Sequence, residues 1–448
     1  MMTFAGAERF LREIVVRRQL SGRGCRQVHP GAGAWAQCGR GGAPEESITS
    51  DRLSGGPMSR IRRAALAVAA AATAATTVAA AVPAAQAAPP RDRPGHGHGH
   101  GHGHGHGLGQ HDRTVEAWAD RLVADGAPGV TIMTRRGPHV LHATAGVSDK
   151  ATGRPMDHRL LFRIASVTKS FTSTVVLQLA AEGRLSLDNT VEEWLPGLVR
   201  GNGNDGSEIT VRQLLAQTSG LHDYTSDPRI FAEPSRTWTP AELVGIAMET
   251  PPHYVPGTDW NYSNTNYVLA GMIIERVTGN AVGQEYENRI FRPLRLRHTS
   301  YPETSTAFPG PYVHGYYYDF GDVSTLVSPS SARASGGIVS TVDDVARFHR
   351  ALFTGRLLPR AQMRELTTVR PVDDGGIVED YGLGVARIAF SCGPAWGHDG
   401  GFPGYRTWTY TSADGKRQAV ITYNESALED DAEFRAGLAK AADAAFCS

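Results

Sequence analysis

The segment Ser166-Val167-Thr168-Lys169 sets a hydroxyl and an amine three residues apart at the opening of an apolar run. On a helix, residues i and i+3 stand one above the other, so nucleophile and base would share a face. The amino end of that helix adds partial positive charge and unpaired N–H groups, which favour an alkoxide and help build an oxyanion hole. Taken alone the spacing is a weak signal, because 27 serines and four lysines in 448 residues give about 0.24 chance matches. A serine cap followed by a solvated lysine would leave the same letters. Two features tilt the reading. The run is apolar nearly all round, which buries Lys169, and the chain carries 41 arginines against four lysines. An arginine cannot give up its proton, whereas a desolvated amine can become a neutral base, so Lys169 reads as chosen for its pKa.

Two further groups could share a cleft with this pair. Tyr262-Ser263-Asn264 follows a turn at Pro256-Gly257 and precedes a helix. A phenol beside a cationic amine can ionise or relay a proton, and an amide side chain can hold a substrate carbonyl. The plainer reading has Asn264 capping the helix and Tyr262 packing. His398-Asp399-Gly400-Gly401 stands between Trp396-Gly397 and Phe402-Pro403-Gly404. Glycines in a strand mark close approach of another backbone or of a ligand; a turn with an exposed histidine is the alternative.

In this order, with 95 residues from Lys169 to Asn264 and 134 from Asn264 to His398, the three groups resemble the penicillin-recognising serine hydrolases. That family includes class C β-lactamases, D-alanyl-D-alanine carboxypeptidases and related esterases and D-aminopeptidases. The resemblance spans nearly all of 112–447. FRIASVTKSFTSTVVLQLAAEGRLSLD, ITVRQLLAQTSGLHDY, PGTDWNYSNTNYVLAGMIIERVTG, ASGGIVSTVDDVARF and YGLGV look like its secreted carboxypeptidase branch, whose third motif begins with His. It implies that Ser166 forms an acyl-enzyme, that Lys169 and Tyr262 manage the proton, and that Asn264 holds the substrate amide. The N–H groups of Ser166 and Gly401, beside Gly400, would form the oxyanion hole, and His398 would supply positive or donor character opposite Tyr262. No metal or organic cofactor is required at this site. Two positions depart from the branch: Asp399 stands where Thr is usual, and the arginine that would grip a terminal carboxylate falls on Ala386, with Arg387 next door. A one-residue offset on a strand turns the side chain to the other face.

The elements that must hold these groups can be outlined from periodicity. Val115, Trp118, Leu122 and Val123 share a helical face ahead of Gly126, and Gly129–Arg135 and His139–Gly146 read as a hairpin. The run 166–182, closed by Gly183, is a central buried helix, and the stretch 209–299 is mostly helical, with a helix from Asn264 or Thr265 to Thr278. Strands return at 381–390, 405–410 and 418–423, followed by a helix over 428–446. Strands at both ends with helices between predict an α/β (α+β) fold in which an all-helical lobe is inserted between the two halves of one antiparallel sheet flanked by helices. The resemblance implies the β-lactamase/transpeptidase-like version of it.

Composition bounds the partners. Forty-five basic and 45 acidic side chains leave no net charge, which argues against nucleic acid. Met58 opens a stretch with Arg60, Arg62 and Arg63, an Ala-rich run and Ala85-Gln86-Ala87, which reads as a secretory signal peptide (58–87) cut after Ala87. A membrane anchor is the alternative, but threonines dilute the run and Pro83 interrupts it. Residues 1–57 then lie upstream of the true start. Removing residues 1–87 takes away eleven arginines and five acids, leaving 34 basic and 40 acidic side chains. The exported chain would keep Cys392 and Cys447, which in an oxidising compartment pair most simply as a disulfide; a free buried pair is the alternative. The linker 88–111 alternates Gly and His from Gly95 to Gly107, a composition that resists packing and binds divalent metals weakly. The serine hydrolase domain is expected over 112–448.

The expectation is a secreted, monomeric serine hydrolase without a stable membrane anchor, acting on a small peptide, ester or β-lactam. A D-alanyl-D-alanine carboxypeptidase-like peptidase on cell-wall peptides comes first. An esterase, D-aminopeptidase or class C-like β-lactamase would use the same residues. A non-catalytic wall- or metal-binding protein on this fold is the reading from another class, opposed by the intact set of Ser166, Lys169, Tyr262 and His398.

Overall fold

The structure, a computed structural model, describes residues 105–372 and 378–447. The upstream segment 1–57, the leader 58–87 and the linker up to residue 104, with Cys25 and Cys38, lie outside the described residues.

Helix α1 (Gly105–Ala124) begins seven residues ahead of Asp112, inside the Gly/His run. Glycine is a poor helix former, so the helix is held from its other end. Val115, Ala119 and Leu122 are buried against the sheet, and tertiary contact of this kind supplies what propensity lacks. Strands β1 (Gly129–Arg136) and β2 (His139–Asp149) form the expected hairpin. A short β3 (Arg154–Pro155) adds to the edge of β2.

The buried helix is α2 (Thr168–Ala181), reached through a 3-10 turn at Ala165–Val167. Its sides are covered all round. Phe171 stacks on Phe348 at 3.5 Å between centroids and meets Phe291 edge-on at 6.0 Å, a burial worth about 1.5–3 kcal/mol. The helical segment that follows includes α3 (Pro240–Met248) and α4 (Asn264–Thr278). Three of its helix starts are capping boxes, Thr190 with Glu193, Thr210 with Gln213 and Thr239 with Glu242, each pairing a threonine with the acid or amide three residues on. Helix α5 (Val342–Phe353) brings Phe348 to α2.

The chain then returns to the sheet through β4 (Arg370–Pro371), β5 (Val378–Tyr381), β6 (Ala386–Ile388), β7 (Ala395–Gly397), β8 (Asp399–Phe402), β9 (Tyr405–Thr411) and β10 (Arg417–Tyr423), and ends in α6 (Ala432–Cys447). The sheet order is β3-β2-β1-β10-β9-β7-β6-β5-β4, with β8 also on β9. Because β1 pairs with β10, Ile132 opposite Ile421, the two ends of the domain build one antiparallel sheet with the helices between them, as the sequence pattern predicts. Val130, Ile132, Ala419 and Ile421 bury one face against Val115 and Leu122 of α1 and Phe434 and Leu438 of α6. Met133 and Val420 on the other face join the core that holds α2 and α5.

Besides the start of α1, the buried helix begins at Thr168 and not at 166, β2 runs on to Asp149, and two larger differences concern the second half of the sheet and the last helix. The stretch 381–390 is not one strand but a hairpin, β5 and β6, with Gly384 in its turn at φ +79°. A Cβ there would lie 2.3 Å from Ser173 Oγ and 3.0 Å from the Lys169 carbonyl, so a glycine bend is what lets the hairpin rest on α2. The last helix starts at Ala432, after a 3-10 turn at Ser426–Asp430, where Glu425 caps the turn by accepting from Ala427 N–H. Cys392 and Cys447 form the disulfide, with Cα atoms 5.4 Å apart, fixing the end of α6 to the turn after β6.

Candidate active site

Ser166 is partly exposed while Ala165 and Val167 beside it are buried, so the turn presents one hydroxyl to the solvent side. Ala165 has φ +49°, a left-handed conformation that costs an alanine about 1–3 kcal/mol and persists because Gly336 and Gly400 pack around it. The strain sits next to the nucleophile.

Lys169 has no exposed surface. Its Nζ lies 3.0 Å from Ser166 Oγ, 2.7 Å from Asn264 Oδ1 and 2.9 Å from the Ser335 carbonyl. Burial lowers its pKa to about 7, although the carboxylates of Asp223 and Asp399 pull the other way. The hydrogen-bond arithmetic is informative. A neutral amine has two N–H groups and one lone pair, and the two carbonyl oxygens can only accept. They take both N–H groups, which leaves the lone pair for the Ser166 hydroxyl. In its neutral form the amine is therefore aimed as a base at the nucleophile.

Tyr262 closes the third side. Its ring lies 4.7 Å from Nζ, and the Ser166 hydroxyl beside its phenol favours ionisation only weakly against the other influences. Burial, then the charge of Asp399, push its pKa well above the usual value, so this phenol stays protonated; of ionising and relaying a proton, the structure favours the relay.

Asn264, the first residue of α4, is held on both ends of its amide. Oδ1 accepts from Lys169, while Nδ2 donates to Asp223 Oδ2 at 3.1 Å and to Thr225 Oγ1 at 3.3 Å. Both amide hydrogens are turned to Asp223 and Thr225, so Asn264 positions the amine. Asp223 had no role in the sequence reading. It is buried, accepts from Asn264 N–H and Nδ2 and from Thr225 N–H and Oγ1, and its carboxyl pKa is raised by burial. Ser335, also missed, contributes only a carbonyl, which no side-chain motif can announce. The signal for Asp223 is a lone carboxylate in the otherwise uncharged loop TSGLHDY.

His398 is buried behind Tyr262, with ring centroids 6.2 Å apart. Its Nδ1 is 2.5 Å from the Asp399 carbonyl, an obligate acceptor, so Nδ1 carries the proton and Nε2 accepts from Tyr381 O–H at 3.0 Å. Burial and the nearby Lys169 lower its pKa to about 3. The imidazole is thus neutral, with its two nitrogens engaged by Tyr381 and the Asp399 carbonyl. Tyr381, a third residue missed in the sequence, sets this tautomer.

The glycines of β8 act by proximity. A Cβ at Gly400 would lie 2.3 Å from the Ile164 carbonyl and 3.1 Å from Ser166 N, so only glycine lets β8 lie this close to the nucleophile turn. Thr409 N–H donates to the His398 carbonyl at 3.2 Å, which makes His398 and Thr409 a hydrogen-bonded pair. Antiparallel pairs alternate, so Asp399 opposite Trp408 and Gly401 opposite Arg406 are non-hydrogen-bonded pairs. The Gly401 N–H therefore points away from β9, along the edge where Ser166 lies, as an oxyanion donor requires.

Residues 115–444 match the family model described as Beta-lactamase. The chain belongs to the beta-lactamase family of serine hydrolases. Within that family it is similar to a D-stereospecific amidohydrolase from Streptomyces sp., 42% identical, with a TM-score of 0.66, 70% of this chain and 95% of that one covered. It is also similar to the D-amino acid amidase of Ochrobactrum anthropi SV3, 30% identical with a TM-score of 0.68, covering 75% of this chain and 97% of that one. Penicillin-binding protein 4* of Bacillus subtilis (strain 168) is 27% identical over 330 residues, 70% of this chain and 71% of that protein. Against the carboxypeptidase version of the beta-lactamase family site, Ala386 is buried in the sheet and Arg387 is paired with Asp380. The charges of Asp223 and Asp399 act on Lys169.

Proposed function

We propose that the protein is an exported serine hydrolase that cleaves amide, peptide or ester bonds of D-aminoacyl substrates bearing a free amino group. The observation that carries the chemistry is the Lys169 lone pair directed at Ser166. The amine takes the Ser166 proton as the hydroxyl attacks the substrate carbonyl. The tetrahedral oxyanion is met by the N–H groups of Ser166 and Gly401. Lys169 returns the proton through Tyr262 to the leaving nitrogen, and water repeats the sequence to release the acid and free Ser166. Asp399 supports the specificity: an acidic group whose charge reaches both Lys169 and Tyr262 attracts a substrate ammonium and repels a terminal carboxylate. The similarity to a D-stereospecific amidohydrolase and to a D-amino acid amidase supports the same choice over a carboxypeptidase. Export rests on the leader read at 58–87, and the exported chain would begin at Ala88.

The test is a panel of D-aminoacyl amides, their N-acetylated forms, D-Ala-D-Ala peptides and a cephalosporin, with Ser166→Ala as control. Free-amine substrates are expected to be turned over best, and Asp399→Asn is expected to lower their kcat/KM by about ten- to a hundredfold, the weight of a hydrogen bond to a charged group. Preference for N-acetylated substrates, or indifference to Asp399→Asn, overturns the specificity. Turnover by Ser166→Ala overturns the mechanism.

A further inference from the structure

Away from the catalytic centre, His142, His158 and Asp343 place one ligand atom each within 4.8 Å of one another, a grouping found nowhere else among the described residues. His142 Nε2 lies 2.7 Å from Asp343 Oδ1, and the His158 ring, stacked on that of His142 at 3.9 Å between centroids, must turn for its lone pair to reach the same ion. All three side chains are partly buried, neither sealed off nor freely mobile. From this convergence we infer a binding site for a divalent transition metal of the zinc class, built by two imidazoles and a carboxylate and completed by water. Imidazole with carboxylate is a donor set that suits such ions, and three protein ligands leave a fourth position for solvent.

The placement gives the site a role. His142 belongs to β2, His158 to a turn in which the Asp157 carboxylate accepts from Arg159 N–H at 2.9 Å, and Asp343 to the first turn of α5. His158 stands eight residues before Ser166, and Asp343 eight residues after Ser335, whose carbonyl holds Lys169. An ion here ties both segments that feed the catalytic centre to the sheet. An ion bound here takes the place of the His142–Asp343 hydrogen bond. Of the cations near Asp343, Arg347 is paired with Asp344 at 3.0 Å and Arg135 is hydrogen-bonded to Gln418 at 3.1 Å. The proposal is independent of the reaction at Ser166.

Thermal unfolding of the full chain in ZnCl2 against EDTA tests it. Metal held by the Gly/His run binds unfolded chain as well and shifts no melting point, whereas a site that exists only in the fold does. At Zn2+ about a hundredfold above Kd, Tm is expected to rise by about 4 °C for a folded unit of this size. His158→Ala and Asp343→Asn are expected to abolish the rise while retaining hydrolase activity, which shows that they fold. Replacing the six histidines at positions 96–106 by serine is expected to leave the rise unchanged. No rise in the wild-type protein, a rise that survives His158→Ala, or a rise lost with the Gly/His run alone would each overturn the site.

Discussion

Gly400→Ala isolates the contribution of one close approach. Gly400 does not occupy the left-handed region, so alanine fits the backbone and only the added methyl matters. Built on the present backbone, that methyl lies 2.3 Å from the Ile164 carbonyl oxygen, against an ordinary contact of 3.4 Å or more. Strand β8 and the nucleophile turn must therefore separate by about 1 Å. The Gly401 N–H moves with β8, and the Ser166 Oγ and N–H stay with the turn, so the displacement falls between the two oxyanion donors. A misplacement of this size costs on the order of a hundredfold in rate. The accompanying strain is about 1–3 kcal/mol of stability. The assay is kcat on a chromogenic D-aminoacyl ester together with a denaturant melt. Gly245→Ala serves as the control: it is exposed in α3 with nothing within 4 Å of its Cβ, so it should leave kcat alone and add about 0.5–1 kcal/mol of helix stability. A Gly400→Ala enzyme with kcat within about twofold of wild type would refute the claim that this approach builds the oxyanion site.

Lys169→Met should abolish turnover yet change how stability depends on pH. The wild-type amine falls from 10.5 in the unfolded chain to about 7 in the fold. Wild-type stability is then lost as pH drops from 10.5 to 7, by about 5 kcal/mol in total, and the methionine variant lacks that slope in urea melts; parallel slopes would contradict it. His349, buried on α5 with neither ring nitrogen hydrogen-bonded and a pKa lowered to about 3, acts with the same sign in a lower window. Its unfavourable contribution appears as pH falls below 6.5, so His349→Leu should be more stable at pH 7 by about 1–3 kcal/mol and gain further on the wild type at pH 5, read from the same melts. Replacing Cys392 and Cys447 by alanine should cost about 4 kcal/mol, the loop-closure value for 55 residues, with activity at low temperature retained; an unchanged midpoint would contradict that.

The parts of the site that were legible in the sequence are those in which chemistry is written as side-chain type at short spacing. Ser166, in the 3-10 turn that leads into α2, and Lys169, in the first turn of α2, are three residues apart, and an uncommon lysine inside an apolar run signals a shifted pKa. The sheet could be outlined because strands at both chain ends alternate with an apolar helical middle. What could not be read depends on distant contacts. Ser335 acts through its backbone, Tyr381 reaches His398 across a hairpin, and Asp223 matters because of what α4 lays over it. The strand expected over 381–390 failed for a local reason, since the bend at Gly384 is set by the approach of α2 and not by period-two alternation. The tautomer of His398 likewise follows from Tyr381 and the Asp399 carbonyl, and neither is visible in a histidine followed by an acid and two glycines.

With only four lysines in the chain, the amine itself can be observed. In a protein labelled with 13C at lysine Cε, the resonance lost in Lys169→Met identifies Lys169, and its chemical shift is followed against pH under conditions where the fold is intact. The account predicts a midpoint near 7 for that resonance. A Lys169 midpoint near 10 would contradict the neutral base on which the mechanism stands.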